Sequence, residues 1–472
     1  MRLSIDQYDV KALKRYFITI LVMVAALKVT MGFAAIAMLI ALFGSFARRK
    51  MEDVLFWILL LTVTSTGNHI IFSTNFITVT TVRLALILSF FPVFARIFSA
   101  RRRGGNSVFL GLLVYLLWEA AISGQGYSPV ISYLKLGLFT WIYLAYCGIA
   151  NTVNDAPQVN PRRLRAAILS IVILMIGGSF ALIPFPGIAS MTPDQEMLAR
   201  IAAGEGVNLF CGMCSHSQAL GPLMGILGTI VFADMVFSVR RGDPLYIALL
   251  TMCPLVIYRT SSRTGMGTLL GGICMVGFVL MQSRGLGNRW KGKVLFNFIF
   301  LGLLFVTIAI LVPSIRGRVA KYALKWGDRA EHREVTVKEM FATRQEKIDI
   351  AMYNFRRKPL LGNGFQVSDT MQYERRSGLL SYFSAPIEKG VWIYAVLEEG
   401  GVPGLILLSA WMLIVFAVLI HRRYYVMVST FFALVMANTG EFCMFAMTFT
   451  GGFYWAMVFA AGTLDGQRNR LR

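Results

Sequence analysis

A pair of arginines in the middle of the chain has the chemistry needed to hold a diphosphate group. Arg259 and Arg263 lie four residues apart between two apolar segments, directly before Gly265-Met266-Gly267. The planar guanidinium group donates two parallel hydrogen bonds and stays charged at any relevant pH, so two of them can bind both phosphates. The alternative is that both side chains only extend to a membrane interface. That suits Arg259 better, because small residues follow Arg263.

A second candidate anion site lies in residues 314–400, the longest charge-rich block of the chain. Residues 331–354 of this block form a charged run that favours a helix, and the spacing puts Arg344, Lys347 and Ala351 on one face. The sequence therefore predicts a charged helix that presents Arg344 and Lys347 on the same face.

A glycine-containing turn follows that predicted helix. Pro359 disfavours helical backbone at the residue before it, so the helix is expected to end there. Gly362 and Gly364 allow a tight turn whose backbone N–H groups can face an anion. Both glycines are therefore candidates for binding a diphosphate or glycan.

Three polar side chains and a lysine complete the candidate site. Glu388 is the best-placed carboxylate for a general base, because it lies at the head of a short predicted helix. Its alternative role is an ion pair with Lys389, which is itself a candidate diphosphate ligand. His216 is a second candidate base or phosphate donor, with Gln218 as a candidate substrate contact. The alternative for His216 is a hydrogen-bonded histidine at a membrane interface.

Composition indicates that these residues belong to an integral membrane protein. The 472 residues are 56% hydrophobic and 15% charged, with a mean hydropathy of +0.64. Apolar stretches that reach or approach the length of a membrane span predict about fourteen helices. They lie at 12–28, 31–47, 53–66, 77–98, 107–123, 130–150, 165–185, 218–239, 244–258, 264–283, 294–313, 402–421, 424–440 and 445–463.

The expected fold is therefore all-α, a polytopic transmembrane helix bundle that forms one integral membrane domain over residues 1–472. We expect about 12–14 spans, because 53–66 and 244–258 are short and one of them could be re-entrant. The block 314–400 is then one large, partly helical loop.

Basic clusters predict the orientation of the bundle. With a cytoplasmic N-terminus, seven clusters fall on the cytoplasmic side, as the positive-inside rule requires. They are 48–50, 101–103, 162–165, 240–241, 284–293, 422–423 and 468–472. The same threading puts the candidate site residues on the outer side, where binding an anion explains their positive charge.

Charge and cysteines exclude some functions. The net charge of +22 falls in short clusters between apolar segments, so no nucleic-acid-binding domain is expected, and anionic lipids and an anionic substrate are the expected partners. Cys211 and Cys214 form a CxxC motif near His216, but further ligands are missing. We therefore expect no metal and no cofactor, and a packing role or at most one local disulfide for this motif.

Four segments follow one another over about residues 210–420, roughly half of the chain. They are Gln218 to Gly221, Ser262 to Gly265, Arg344 with Pro359 to Gly364, and Glu399 to Gly404. In this order they resemble the O-antigen ligase and O-antigen polymerase superfamily of bacterial surface-polysaccharide assembly. The last three are similar to its Ser-Arg-Gly helix start, its arginine helix with a Pro-Leu-Leu-Gly-x-Gly turn, and its Glu-x-Gly-x-x-Gly motif.

One position departs from the family pattern. Ligases of this family carry a histidine eleven residues before the first glycine of the Gly-x-x-Gly pair, and the corresponding residue here is Gly390, followed by Val391. Glu388 and Lys389 are the nearest functional groups. The missing histidine favours a polymerase over a ligase of the usual kind.

The resemblance implies metal-independent glycosyl transfer at the periplasmic face of the bacterial inner membrane. The donor would be an undecaprenyl-diphosphate-linked oligosaccharide, the acceptor a hydroxyl of a glycan or lipid-linked glycan, and a chain-length regulator is an implied partner. Arg263 and Arg344 would stabilise the leaving diphosphate, and Glu388 or His216 would take the acceptor proton.

Other functions stay open. An O-antigen ligase or an O-linked oligosaccharyltransferase would use the same chemistry with another acceptor. A lipid-linked sugar transporter or flippase, which does no covalent chemistry, predicts charged residues near the bilayer midplane and pseudo-symmetric halves. In the apolar segments such residues are few, among them Arg83, Glu119 and Lys135.

Overall fold

The chain folds into a bundle of α-helices. The computed structural model describes residues 8–30, 32–72, 76–92, 94, 105–156, 158–190, 210–237, 243–282, 337–368, 390–440, 444–445 and 449–470. Within these ranges no strand forms, and the extended pairings are isolated bridges between Gly67 and Cys214 and between Ser190 and Phe210. The all-α prediction is confirmed.

The helices follow one another with short connections in most of the described chain. They are α1 Val10–Val29, α2 Phe33–Ala47, α3 Met51–Thr66, α4 His69–Phe72, α5 Phe76–Ser89, the 3₁₀ helix Gly105–Gly111, α6 Leu112–Ser123, α7 Pro129–Asp155, α8 Pro161–Ala181, α9 Pro186–Ala189, α10 Ser217–Phe237, α11 Pro244–Arg259, α12 Arg263–Gln282, α13 Val337–Arg357, α14 Trp392–His421, α15 Tyr425–Asn438 and α16 Phe449–Arg470.

Long apolar helices make this a membrane-embedded protein. Within the described part of the chain, five helical segments are long and apolar enough to cross a bilayer, namely α7, α8, residues 218–237 of α10, α12 and α14. Large apolar side chains such as Ile40, Leu117 and Leu413 are exposed on the outside of the bundle. Such a surface is unfavourable in water and suits lipid tails. The predicted span at 294–313 lies outside the described residues.

Helix starts follow the local sequence. Asn160 accepts hydrogen bonds from the N–H groups of Arg162 and Arg163, and Pro161 occupies the first turn of α8. Asp243 accepts from the N–H of Leu245 at the start of α11, which begins at Pro244. An Asn or Asp cap followed by proline satisfies N–H groups that have no partner inside the helix.

One end of the bundle is basic. Arg163 pairs with Asp9 at 3.5 Å, which joins the starts of α8 and α1. Arg15 pairs with Asp53 at 2.8 Å, and Arg468 donates to the carbonyl O of Arg423 at 2.6 Å. The segments 48–50, 162–165, 422–423 and 468–470 therefore share one end, which we call the basic end. Its assignment to the cytoplasm stays a prediction.

A buried ion pair lies inside the basic end. Arg165 Nε donates to Asp234 Oδ2 at 3.0 Å, and the hydroxyl of Tyr246 donates to the same oxygen at 2.7 Å. All three side chains are buried. A buried charge needs such partners, because desolvation without them is costly. The pair joins α8, α10 and α11.

Glycines bring helices into backbone contact at the opposite end. A Cβ on Gly265, in the first turn of α12, would lie 2.5 Å from the backbone carbonyl carbon of Gly221 in α10. A Cβ on Gly221 would in turn collide with Ser262, and one on Gly440 would collide with Thr264. Small residues allow this close packing in membrane helices. We call this end, with the starts of α10 and α12, the site end.

Candidate functional site

The predicted charged helix is α13, and Ala351 lies on its packed face. Ala351 and Asn354 are buried, whereas Tyr353, Arg356 and Arg357 are exposed. A Cβ on Gly390 would lie 3.9 Å from the Cβ of Lys347, so Lys347 faces the segment before α14. Arg344 lies in α13 three residues before Lys347, and its side chain is outside the described part of the chain.

The turn after α13 docks onto a kink in α14. Gly401 has φ 65° and ψ −167°, which interrupts α14 and separates its first part from the membrane-crossing part. The N–H of Asn363 donates to the carbonyl O of Glu398 at 2.8 Å, and that of Gly364 donates to Glu399 O at 3.0 Å. The N–H of Val402 donates back to Pro359 O at 2.9 Å.

The kink explains why these backbone groups meet. In an unbroken helix the carbonyls of Glu398 and Glu399 would accept from residues 402 and 403. Here Val402 donates to Pro359 instead, and Pro403 has no N–H. Both carbonyls are buried and need donors, which the turn supplies. The turn and the kink are therefore one structural unit.

Glycine is required on both sides of this contact. Gly362 has φ 61°, and a Cβ there would collide with the carbonyl O of Glu399. A Cβ on Gly401 would lie 2.6 Å from Leu360 O. The backbone conformation of Gly401 is essentially restricted to glycine.

The expectation that the amides of Gly362 and Gly364 face an anion is wrong. The N–H of Gly362 donates to Lys358 O at 2.9 Å, and that of Phe365 donates to Ser123 Oγ at 3.3 Å. Together with the bonds of Asn363 and Gly364 to α14, this occupies the turn amides. Gly362 is bonded to the end of α13, and the N–H of Gly364 is taken up by a carbonyl of the kink.

The connection between α6 and α7 holds the turn from the other side. The N–H of Tyr127 donates to Asn363 O at 3.0 Å, and Ser132 Oγ donates to Phe365 O at 3.1 Å. Lys135 Nζ donates to Gln366 O at 2.8 Å, and this lysine is buried. The turn is thus fixed between α14 and the start of α7.

Two buried carboxylates lie beside the kink. Glu119 in α6 and Glu399 in α14 are fully buried, and a Cβ on Gly400 would collide with Glu119 Oε1. A Cβ on Gly404 would lie 3.4 Å from the same oxygen, so Glu119 faces the first turn of the helix after the kink. The positive end of a helix favours a carboxylate at that place. Trp118 Nε1 donates to Gly400 O at 2.8 Å next to it.

Sequence reasoning did not assign Glu119 or Lys135 to the site. The available signal was a charged residue inside an apolar segment, which in membrane proteins is functional by default. Only the structure shows that α6 and α7 contact the turn, because both helices precede the turn by more than two hundred residues in the sequence.

The remaining predicted residues gather at the starts of α10 and α12. His216 is half-buried just before α10, and its Nδ1 accepts from the N–H of Gln218 at 3.2 Å. Arg259 ends α11 and is exposed. Arg263 starts α12, where Ser262 Oγ accepts from the N–H of Gly265 at 3.0 Å. The packing of Gly221 against Ser262 brings the two helix starts together.

Residues 438–440 and 444–445 contact these two groups at the site end. Gly440 lies against Thr264, next to Arg263. The N–H of Met444 donates to Asn438 Oδ1 at 2.6 Å, and the ring of Phe445 lies 5.9 Å from that of Phe365 in the turn. The structure therefore places the arginine pair and the docked turn at one end of the bundle. Glu388 and Lys389 lie outside the described residues.

The CxxC motif is part of the packing. Cys211 and Cys214 are buried free thiols, and Cys211 Sγ lies 3.1 Å from the carbonyl O of Ala189. Burial raises the pKa of Cys211 to about 11, so at neutral pH this thiol carries little of its reactive thiolate form. Among the described residues, no three His, Cys, Asp or Glu side chains are grouped so that they could hold a metal ion.

Comparison with known proteins adds no relative. No family model matches this sequence, and a search of curated proteins finds no significant match.

Proposed function

We propose that this chain is a membrane glycosyltransferase. It would move a glycan from an undecaprenyl-diphosphate-linked donor to an acceptor hydroxyl at the periplasmic face of a bacterial inner membrane, as a polymerase of a surface polysaccharide. A ligase or an oligosaccharyltransferase would share this chemistry. The observation that carries the proposal is that α13, the Pro359 to Gly364 turn and the Glu399 to Gly404 kink form one hydrogen-bonded unit.

This unit supports the proposal because the kink is separate in sequence from α13 and its turn, and the segments resemble one family only when taken together. Their joint packing at the same end as Arg259 and Arg263 fits a shared site for a large anionic substrate. An isolated chance motif would have no reason to contact the others.

The proposed reaction is a displacement at the anomeric carbon of the donor. The acceptor oxygen forms a bond to that carbon while the bond from carbon to phosphate oxygen breaks, and the polyprenyl diphosphate leaves with the bonding electrons. Arg263 and Arg344 would stabilise its developing charge, and Arg259 and Lys389 would help to bind it. Glu388 or His216 would accept the proton from the acceptor hydroxyl.

Position 390 is occupied by glycine, so the general base must be a residue at another position. Gly390 has a backbone φ of 74°, which residues other than glycine rarely adopt. It faces Lys347 on α13. The position where the ligases carry histidine therefore adjoins the arginine helix. Because no histidine is present, we favour a polymerase over a ligase.

Substitution of the two proposed diphosphate ligands tests the function. We expect Arg263→Ala and Arg344→Ala to abolish polymer in cells, and the lysine variants to restore little, because a point charge lacks the bidentate geometry. Arg48→Ala, which removes an exposed arginine at the basic end, is the control and should leave the polymer unchanged. Polymer is detected on a gel, with membrane insertion checked by immunoblot. Wild-type chain lengths from either alanine variant would contradict the proposal.

A transporter is the second candidate, and the buried Glu119, Lys135 and Glu399 beside a broken helix favour it. Against it, Glu119 lies one turn before Ser123, whose hydroxyl binds the docked turn. Lys135 lies within the first two turns of α7. These charges are thus near the site end rather than in the middle of the bundle. Movement of a lipid-linked sugar across liposomes without any covalent product would favour the transporter.

A further inference from the structure

We propose that Glu398 is a positioning residue that fixes the arginine helix α13 for catalysis. This inference rests on the proposed function, because it concerns the placement of Arg344. Glu398 lies directly before the motif that begins at Glu399. The side chain of Glu399 faces a different part of the bundle.

The side chain of Glu398 joins both ends of the docked segment. Its Oε1 accepts from Asn354 Nδ2 at 2.7 Å and from Ser368 Oγ at 2.5 Å. Asn354 Nδ2 also lies 3.1 Å from Ser368 Oγ. Asn354 lies in α13 before the turn, and Ser368 lies after it. One carboxylate oxygen therefore closes the loop that contains the turn.

The backbone of Glu398 strengthens the same connection. Its carbonyl O accepts from the N–H of Asn363 at 2.8 Å, in the middle of the loop that its side chain closes. The side chains of Glu398, Asn354 and Ser368 are almost fully buried. Buried hydrogen bonds of this kind specify one arrangement, because any other leaves polar groups unsatisfied.

Distance along α13 makes this connection important for Arg344. Ten residues separate Asn354 from Arg344, which is about 15 Å along a helix. A rotation of α13 by about 5° at Asn354 would move the backbone at Arg344 by about 1 Å, and a displacement of that size can lower a rate by about 10²-fold. Loss of the Glu398 contacts should therefore reduce turnover.

Burial argues against a direct proton-transfer role for Glu398. Its side chain is 1% exposed, and Oε1 already accepts two hydrogen bonds from the protein. What the site needs from it is an oxygen acceptor, and glutamine supplies the same acceptor without the charge. Positioning and proton transfer therefore predict opposite results for Glu398→Gln.

The first measurement is steady-state kinetics of the purified protein with a lipid-linked donor. We expect Glu398→Gln to keep kcat within about threefold of wild type with an unchanged pH profile. We expect Glu398→Ala to lower kcat by about 10²-fold with a smaller change in KM. Ser368→Ala, which removes one donor only, should give an intermediate loss and keeps the test decisive if Glu398→Ala does not fold.

A double substitution separates positioning from general stability. Measured on the residual turnover of an Arg344→Lys background, Glu398→Ala should cost a smaller factor than in wild type, because it acts through Arg344. An equal loss in both backgrounds would overturn the inference. So would an inactive Glu398→Gln, which would make the carboxylate itself the reacting group, or a fully active Glu398→Ala.

Amide hydrogen exchange over residues 345–357 gives a readout that does not need activity. We expect Glu398→Ala to lose protection in α13 and Glu398→Gln to keep it. If wild type forms no product while the exchange behaves in this way, the proposed function fails but the anchoring of α13 stands. If wild type is active and the exchange is unaffected in Glu398→Ala, the positioning inference fails alone.

Discussion

Glu398 and Glu399 are neighbours in the sequence but serve different parts of the structure. Successive residues of a helix point about 100° apart, so Glu398 reaches α13 while Glu399 is buried on the side of Tyr115 in α6. The sequence singled out Glu399 through its motif and passed over Glu398. The structure identifies Glu398 through its hydrogen bonds to Asn354 and Ser368.

Gly362→Ala should destabilise the protein. The added Cβ would meet the carbonyl O of Glu399 in a backbone conformation that disfavours alanine, so we expect a loss of about 1–3 kcal/mol. Gly137→Ala in α7 is the matched control, because no atom lies within 4 Å of its Cβ. Thermal unfolding in detergent measures both variants. Equal unfolding temperatures would contradict the docked arrangement of the turn.

At the scale of elements, the C-terminal end of α13 and the start of the membrane-crossing part of α14 were predictable, whereas the kink and its contact with the turn were not. Pro359 marks the end of α13, which stops at Arg357, and the predicted span from 402 begins directly after the kink at Gly401. The sequence could not show that the turn amides bind the carbonyls of Glu398 and Glu399. That pairing depends on a contact between segments about forty residues apart.

The close packing of α10 against α12 can be tested by substitution of glycines in α12. Gly265→Ala should separate the two helices and displace Arg263, because the Cβ would lie 2.5 Å from the backbone of Gly221. Gly267→Ala lies two residues further along the same helix with no atom within 4 Å. We expect it to be neutral or to stabilise by about 0.5–1 kcal/mol, as alanine does in helices.

Thermal unfolding and polymer formation are measured for both variants. We expect Gly265→Ala to lower the unfolding temperature and to reduce polymer, and Gly267→Ala to do neither. Identical behaviour of the two variants would contradict the close contact of α10 with α12.

At the scale of the whole molecule, the two ends of the bundle differ in their side chains. The basic end holds the buried Arg165–Asp234 pair and the segments 162–165, 422–423 and 468–470. The site end holds Arg259, Arg263 and the docked turn. The positions of apolar segments and basic residues predicted the membrane bundle and the shared end of the basic clusters that the structure describes, because hydropathy and charge are local properties. The assembly of the site depends on long-range packing and was not predictable in the same way.

The most direct test of the proposed function uses the purified protein, lipid-linked repeat units and EDTA, with products separated by length on a gel. We predict a ladder of products that lengthens with time in the presence of the chelator, and no ladder from Arg263→Ala. Single additions would instead indicate a ligase. Unchanged donor after prolonged incubation, with protein that unfolds cooperatively, would contradict the proposal that this chain transfers glycans.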